Sequence, residues 1–300
     1  MLPLVLLVAQ LSGAWSSTRP PECAALDTGK ASNVWERAKA PELQRYCDLL
    51  ASGAAKLASS TAMAKSVATI ADDADKLVGG KAAPLVLKGR ALGQLNDYAG
   101  AYAALVEAKK RDERALDDPQ ALFVWARSLS RTGHPIEALD AYRTLLPRAS
   151  VLTLKLRSAA AIDAGMIAMS LGPKGLDEAI PIFRQATRDG EDAPRTMAAL
   201  ALALALDRAG DHDAARGVLD EQSHGDPKAV LTAAAMTEWL GPAGVGEGLA
   251  LEALAVASWD PDTARADWKA YLEKSPKGVW AEHARAALAA VGAKKKRKAP

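Results

Sequence analysis

The sequence predicts an all-α protein, and three observations carry that prediction. Apolar residues make up 49 % of the 300 positions but aromatics only 5 %, so the apolar content is mostly alanine and leucine. Those are the strongest helix formers, whereas the β-branched and aromatic residues that fill strands are sparse. No stretch alternates Val, Ile, Thr and Tyr with polar residues over the length of a strand; apolar positions recur instead at helical spacing between Gly and Pro breaks. An apolar fraction of this size supports a substantial core and excludes general disorder.

Residues 2–11 form an apolar stretch of the length found in secretory signals, too short to span a bilayer as a helix. Ala14 and Ser16 offer a cleavage site after Ser16, with Ser12 and Ala14 as a second choice. Residues 1–16 are therefore expected to be a signal peptide, and the mature protein periplasmic or secreted. No Lys or Arg precedes Arg19, so the usual positive start is missing; the alternative is an apolar N-terminal segment of a cytoplasmic protein. No cysteine closes the apolar stretch, which argues against lipid attachment. Export would place Cys23 and Cys47 in an oxidising compartment where they can pair; two unrelated thiols are the alternative. Pairing would close a loop of 24 residues and stabilise by about 3 kcal/mol. There is no C-x-x-C spacing and no neighbouring His, so no metal is expected there.

Residues 18–39 are polar and irregular, with a short helical possibility at 34–38. Pro41 suits a first helical position, and 42–57 follows with Leu43, Tyr46, Leu49, Leu50 and Leu57 on one side. A second helix at 61–78 ends at Gly79-Gly80. Residues 17–80 thus form an arm and a helical pair. A pattern of paired helices then begins. Leu85-x2-Lys88-Gly89-x2-Leu92 is followed by the turn Asn96-Asp97 and by Ala101-x3-Leu105. Asp118-Pro119 opens the next unit as N-cap and first helical residue. That unit reads Leu122-x2-Trp125-Ala126-x2-Leu129, the turn Gly133-His134-Pro135, Ala138-x3-Tyr142 and a stop at Pro147. Residues 152–171 are a long apolar helix, followed by a Gly-Pro-Lys-Gly turn lengthened by about two residues and by Ala179-x3-Phe183. Residues 194–227 carry the pattern most fully: Ala199-x2-Leu202-Ala203-x2-Leu206, the break Gly210-Asp211, Ala215-x3-Leu219 and Pro227. Beyond it come a helix at 230–240, a Gly-rich loop at 241–246 and a helix at 248–258. Ala264-x3-Trp268 with Pro276 and a last helix at 280–291 close the series. Residues 292–300 are expected to be a disordered basic tail.

This pattern resembles the tetratricopeptide repeat, large-x2-Leu-Gly/Ala-x2-Tyr, Ala-x3-Phe, Pro over about 34 residues. The marker alanines 101, 138, 179 and 215 step by 37, 41 and 36, close to that period. The resemblance covers residues 81–291 and implies a right-handed α-α superhelix, a solenoid of helical hairpins with 17–80 as its N-terminal cap. It also implies a concave face lined by the first helix of each hairpin. Carried onto the well-matched units, the lining positions are Arg90, Phe123, Arg127, Arg131, Leu200, Leu204 and Arg208. Arginines there favour an acidic or carboxylate-bearing protein or peptide. Repeats that clamp a C-terminal carboxylate use Lys and Asn at such positions; this sequence lacks the Asn residues, so that activity does not transfer.

Catalytic chemistry is not expected. His134, His212, His224 and His283 are spread along the chain, and no H-E-x-x-H, G-x-S-x-G or Walker sequence occurs. The run Gly244-Val245-Gly246-Glu247-Gly248 lacks the preceding strand that a phosphate loop needs. No cofactor or metal is implied. The net charge is +2, and Lys294, Lys295, Lys296, Arg297 and Lys298 supply more than that, leaving a slightly acidic body unlike a nucleic-acid binder. The sequence therefore suggests a non-catalytic protein- or peptide-binding scaffold of the cell envelope. The alternatives are an accessory domain of an envelope hydrolase, or a structural protein held to anionic lipid or glycan by its basic tail. If residues 1–16 are a signal peptide, mass spectrometry of the native protein will find an N-terminus at Ser17; an intact Met1 in the cytoplasm would refute export.

Overall fold

The computed structural model describes residues 20–23, 34–171, 173–190, 192–223, 247–257, 260–278 and 280–297. The expected signal segment, most of the polar arm, the helix expected at 230–240 and the loop at 241–246 lie outside them. Among the described residues the fold is all-α, with no strand. Contacts divide the chain into two units, Met1–Val151 and Leu152–Pro300.

The first unit contains α1 (Val34–Ser59), α2 (Ala64–Leu77), α3 (Ala83–Gln94), α4 (Tyr98–Arg111), α5 (Pro119–Arg131) and α6 (Pro135–Leu145). Successive helices pack on each other, and α1 also meets α3 as α3 meets α5. The second contains α7 (Leu154–Ser170), α8 (Pro173–Asp189), α9 (Asp192–Arg208), α10 (His212–Ser223), α11 (Glu247–Val256), α12 (Pro261–Lys274) and α13 (Ala281–Arg297). There α7 packs on α9 and α9 on α11, in addition to the contacts within the hairpins.

Three hairpin turns are built identically. Asn96, Gly133 and Gly210 take left-handed φ values of 59°, 88° and 88°. The next residue's N–H then reaches back to the helix: Asp97 to the Leu92 carbonyl at 3.0 Å, His134 to Leu129 at 2.9 Å, Asp211 to Leu206 at 2.9 Å. The N–H groups of Asn96, Gly133 and Gly210 complete the motif on the carbonyls of Gly93, Ser130 and Asp207. This double closure satisfies carbonyls that a helix end would otherwise leave open. Two of the following helices start with ready caps: Asp97 accepts from the Gly100 N–H at 2.9 Å and Asp211 from the Ala214 N–H at 3.2 Å.

Small residues let the paired helices meet. A Cβ at Gly89 would lie 2.7 Å from Leu105 Cγ, and Ala126 and Ala203 are fully buried, as are the marker residues Ala101, Ala138 and Ala179. In the hairpin of α7 and α8 the same place is held by Gly165, where any side chain would collide with the Phe183 ring. The sequence pattern had no small residue assigned there.

The turn of that hairpin differs from expectation. It is not lengthened; α8 starts early, so that Ala179 lies six residues into its helix whereas Ala101, Ala138 and Ala215 lie three residues into theirs. Pro173 is tolerated at a first helical position. Gly175 admits the close approach, since a Cβ there would overlap the Ala168 carbonyl.

Two further boundaries move. The helix α1 begins at Val34 and runs through Pro41 instead of starting there. Pro41 forgoes one intrahelical bond, but the residues around it, mainly Ala, Glu, Arg and Lys, are strong helix formers. The last helix continues through Gly292 to Arg297, so most of the expected disordered tail is helical. Alanine and lysine favour helix, and no proline intervenes before Pro300.

Cys23 and Cys47 form a disulfide with Cα atoms 5.7 Å apart, tying residues 20–23 to α1. Beside it the fully buried Tyr46 donates a hydrogen bond to Glu22 Oε1 at 2.8 Å. Burial, reinforced by that bond and by the negative charges of Glu22 and Asp75, pushes the phenol well above its ordinary range. An intramolecular disulfide fits a non-reducing compartment. No described helix is long and apolar enough to cross a membrane.

The close helix contact predicts a steep size dependence. Ala126→Leu or Ala203→Leu will destabilise by about 1–3 kcal/mol in denaturant titrations. Lys109→Leu, on the exposed side of α4, will stay within about 0.5 kcal/mol. Equal effects at the three positions would contradict the packing.

Candidate functional site

In the first unit, α5 carries Phe123, Arg127 and Arg131 at intervals of one helical turn, hence on one face. The Arg127 guanidinium lies over the Phe123 ring, 5.1 Å from its centroid, and Arg131 lies 6.0 Å from the centroid of Tyr98 on α4. One turn further along α4, Tyr102 stacks between Trp125 at 5.3 Å and His134 at 5.5 Å. Arg131 thus adjoins the partly exposed Tyr98 ring and Arg127 covers Phe123, while Tyr102, Trp125 and His134 form a separate, partly exposed stack where α4, α5 and the following turn meet. A guanidinium over an aromatic face gains cation–π attraction, and its planar fork matches the geometry of a carboxylate.

Arg90 and Phe123 are placed differently from what a lining residue needs. Arg90 is only 8 % exposed, and its guanidinium donates to Gln120 Oε1 and faces Asp118 Oδ2 at 3.7 Å. Asp118 is the N-cap of α5, accepting from the Gln120 N–H at 2.8 Å. Arg90 thus fastens α3 to the start of α5. Burial lowers its pKa, while the Asp118 charge opposes that shift. Phe123 is likewise buried, beneath Arg127.

In the second unit Leu200 and Leu204 are fully buried in the core. Arg208 has a side chain 10 % exposed; it donates to the Met169 carbonyl at 3.1 Å and to Glu282 Oε2 on α13 at 3.0 Å. The adjacent Asp207 binds two imidazoles at once. His212 Nδ1 lies 2.6 Å from Oδ1 and His283 Nε2 lies 2.9 Å from Oδ2. His212 is largely exposed, whereas His283 is buried with the edge of Trp268 against it, ring centroids 5.1 Å apart. Burial pushes the Asp207 carboxyl up, but the hydrogen bonds and charges of His283 and His212 outweigh it and hold the carboxyl below its usual range. The arrangement joins the end of α9, the start of α10 and the first turn of α13.

Sequence reasoning singled out Arg127, Arg131 and Arg208 but not Tyr98, Tyr102, His134 or the Asp207 pair of imidazoles. The Tyr98-x3-Tyr102 spacing was the available signal for the first group. Nothing local links Asp207 to a histidine 76 positions later. Among the described residues no group of three or more His, Cys, Asp and Glu is placed to hold a metal ion. No protein-family model, curated protein or solved structure matches the chain.

A carboxyl held low stabilises the fold fully above its unfolded value, near pH 4, and that contribution is lost as pH falls through the folded value. Asp207→Asn will therefore be less stable than the native chain at pH 6, by about 1–3 kcal/mol. The difference will shrink between pH 4 and pH 2 in urea titrations. A difference constant over that range would show that Asp207 is not held low.

Proposed function

We propose that the chain is a tetratricopeptide-like scaffold, a right-handed superhelix of hairpins that binds an acidic protein or peptide segment and has no catalysis of its own. The observation that carries this reading is the repeated hairpin: Leu92, Leu129 and Leu206, one position of the sequence repeat, each accept the same turn-closing bond. Small residues recur at the contact of each pair, and in each unit first helices pack on the first helices of the next hairpin. Arg127 and Arg131 with their rings are the face on which the partner would lie. The compartment in this reading is periplasmic or extracellular, after removal of residues 1–16; the Cys23–Cys47 disulfide supports it.

Exposed ion pairs contribute about 0.5–1 kcal/mol each, so two arginines supply only part of the roughly 8 kcal/mol of a micromolar complex. The Tyr98 ring beside Arg131 would supply part of the apolar contact for the remainder. A basic α13 held to an anionic surface is the second reading, favoured by the helical course of Lys294–Arg297. High salt separates the two, since tail binding collapses while a groove with ring contacts partly survives.

The test is a titration of the full chain with a glutamate-rich peptide at physiological salt. Arg127→Gln with Arg131→Gln will weaken binding roughly 5- to 30-fold, the effect of two exposed pairs, and leave the melting temperature in place. Phe123 is unsuited to this test because truncating a buried ring costs about 3–5 kcal/mol of stability. Unchanged affinity of the double variant would remove this face from consideration.

A further inference from the structure

Arg131 and Arg208 are equivalent: each is the last residue of its helix, two positions beyond the leucine whose carbonyl closes the turn. Their surroundings differ. Arg131 rests over the ring of Tyr98, while Arg208 is met by a carboxylate of its own chain, Glu282 Oε2 at 3.0 Å. An acidic group thus already stands at one of the positions where an acidic partner is expected.

The two sides of that contact are unequally buried. The Arg208 side chain is 10 % exposed, but Glu282 is 73 % exposed. A guanidinium this far removed from water gains from a carboxylate bond, whereas an exposed Glu regains full hydration when it swings away. The swing leaves the helix where it is. The next residue, His283, is 8 % exposed, bonded to Asp207 and packed on Trp268, so α13 stays anchored while Glu282 changes rotamer. The Met169 carbonyl continues to hold the other arm of the guanidinium and keeps it aimed.

We propose that Glu282 is an intramolecular competitor, an autoinhibitory carboxylate that an acidic partner must displace to reach Arg208. The inference rests on the acidic-partner reading above and extends it to the second unit. Displacement exchanges one carboxylate for another on the same guanidinium, so no net charge is buried.

The experiment is a titration of the full chain with a ten-residue glutamate peptide at physiological salt. Glu282→Gln keeps the size of the side chain and removes its charge, and it will raise affinity roughly two- to fivefold, the range of an exposed ion pair. Arg208→Gln added to that variant will abolish the gain. Glu282→Asp, which keeps a negative charge in the first turn of α13 but withdraws it from Arg208, will give a smaller increase. Unchanged or weaker binding by both Glu282 variants overturns the proposal. If that occurs while the Arg127 and Arg131 double variant still weakens binding, the competitor alone is lost. If the double variant is also without effect, the acidic-partner reading fails with it.

Discussion

The constraint on which the rest of the structure depends is the distance between the two helices of a hairpin. With Gly89, Ala126, Gly165 or Ala203 at the crossing, Leu105 and Phe183 seat directly against the facing helix. A close crossing leaves room for only a short connection. That is why the turns use left-handed Asn96, Gly133 and Gly210 and close with the same two backbone bonds. Packing and turn chemistry therefore specify one another. Alanine-rich helices whose hydrophobic period is weak still find a single register, because the smallest residue fixes where the partner helix can lie.

The same constraint explains what the sequence made legible. Helix identity, the turns at 95–97, 132–134 and 209–211, and the buried alanines followed from spacing alone. The hairpin of α7 and α8 did not, because its small residue is Gly165 and its extra length enters α8 as nearly one additional turn. Three added residues rotate the helix by about 300°, which brings Ala179 back close to the required face. A count of residues between markers registers an insertion, yet cannot say whether it lies in a loop or a helix. Pro41, read as a helix start, and residues 292–300, read as a disordered tail, misled in the opposite sense: helix formers carry α1 through the one and α13 into the other.

Candidate site residues were less legible than the fold, for a reason visible in the four arginines. Position on a helix face decides direction, but exposure depends on what the neighbouring hairpin brings. Arg90 meets Asp118 and Gln120 and becomes a fastener between helices, whereas Arg127, at the same place in the next hairpin, lies over the Phe123 ring and stays partly exposed. Leu200 and Leu204 occupy nominally lining positions on α9 but belong to the core. The equivalent residue in successive hairpins can thus be structural in one and accessible in the next.

The bonds from Asp207 and Arg208 to α13 also bear on the order in which the second unit assembles. Hairpin contacts join residues a dozen or so apart, but Arg208 and Glu282 are separated by 74. Closing a chain segment of that length before the intervening helices have stacked costs about 1.5–2 kcal/mol more than closing a hairpin, some three doublings of loop length. The last helix therefore docks late in folding. The reverse of that step, detachment of α13 with the α7–α10 hairpins intact, is the local opening that amide exchange in α13 would report.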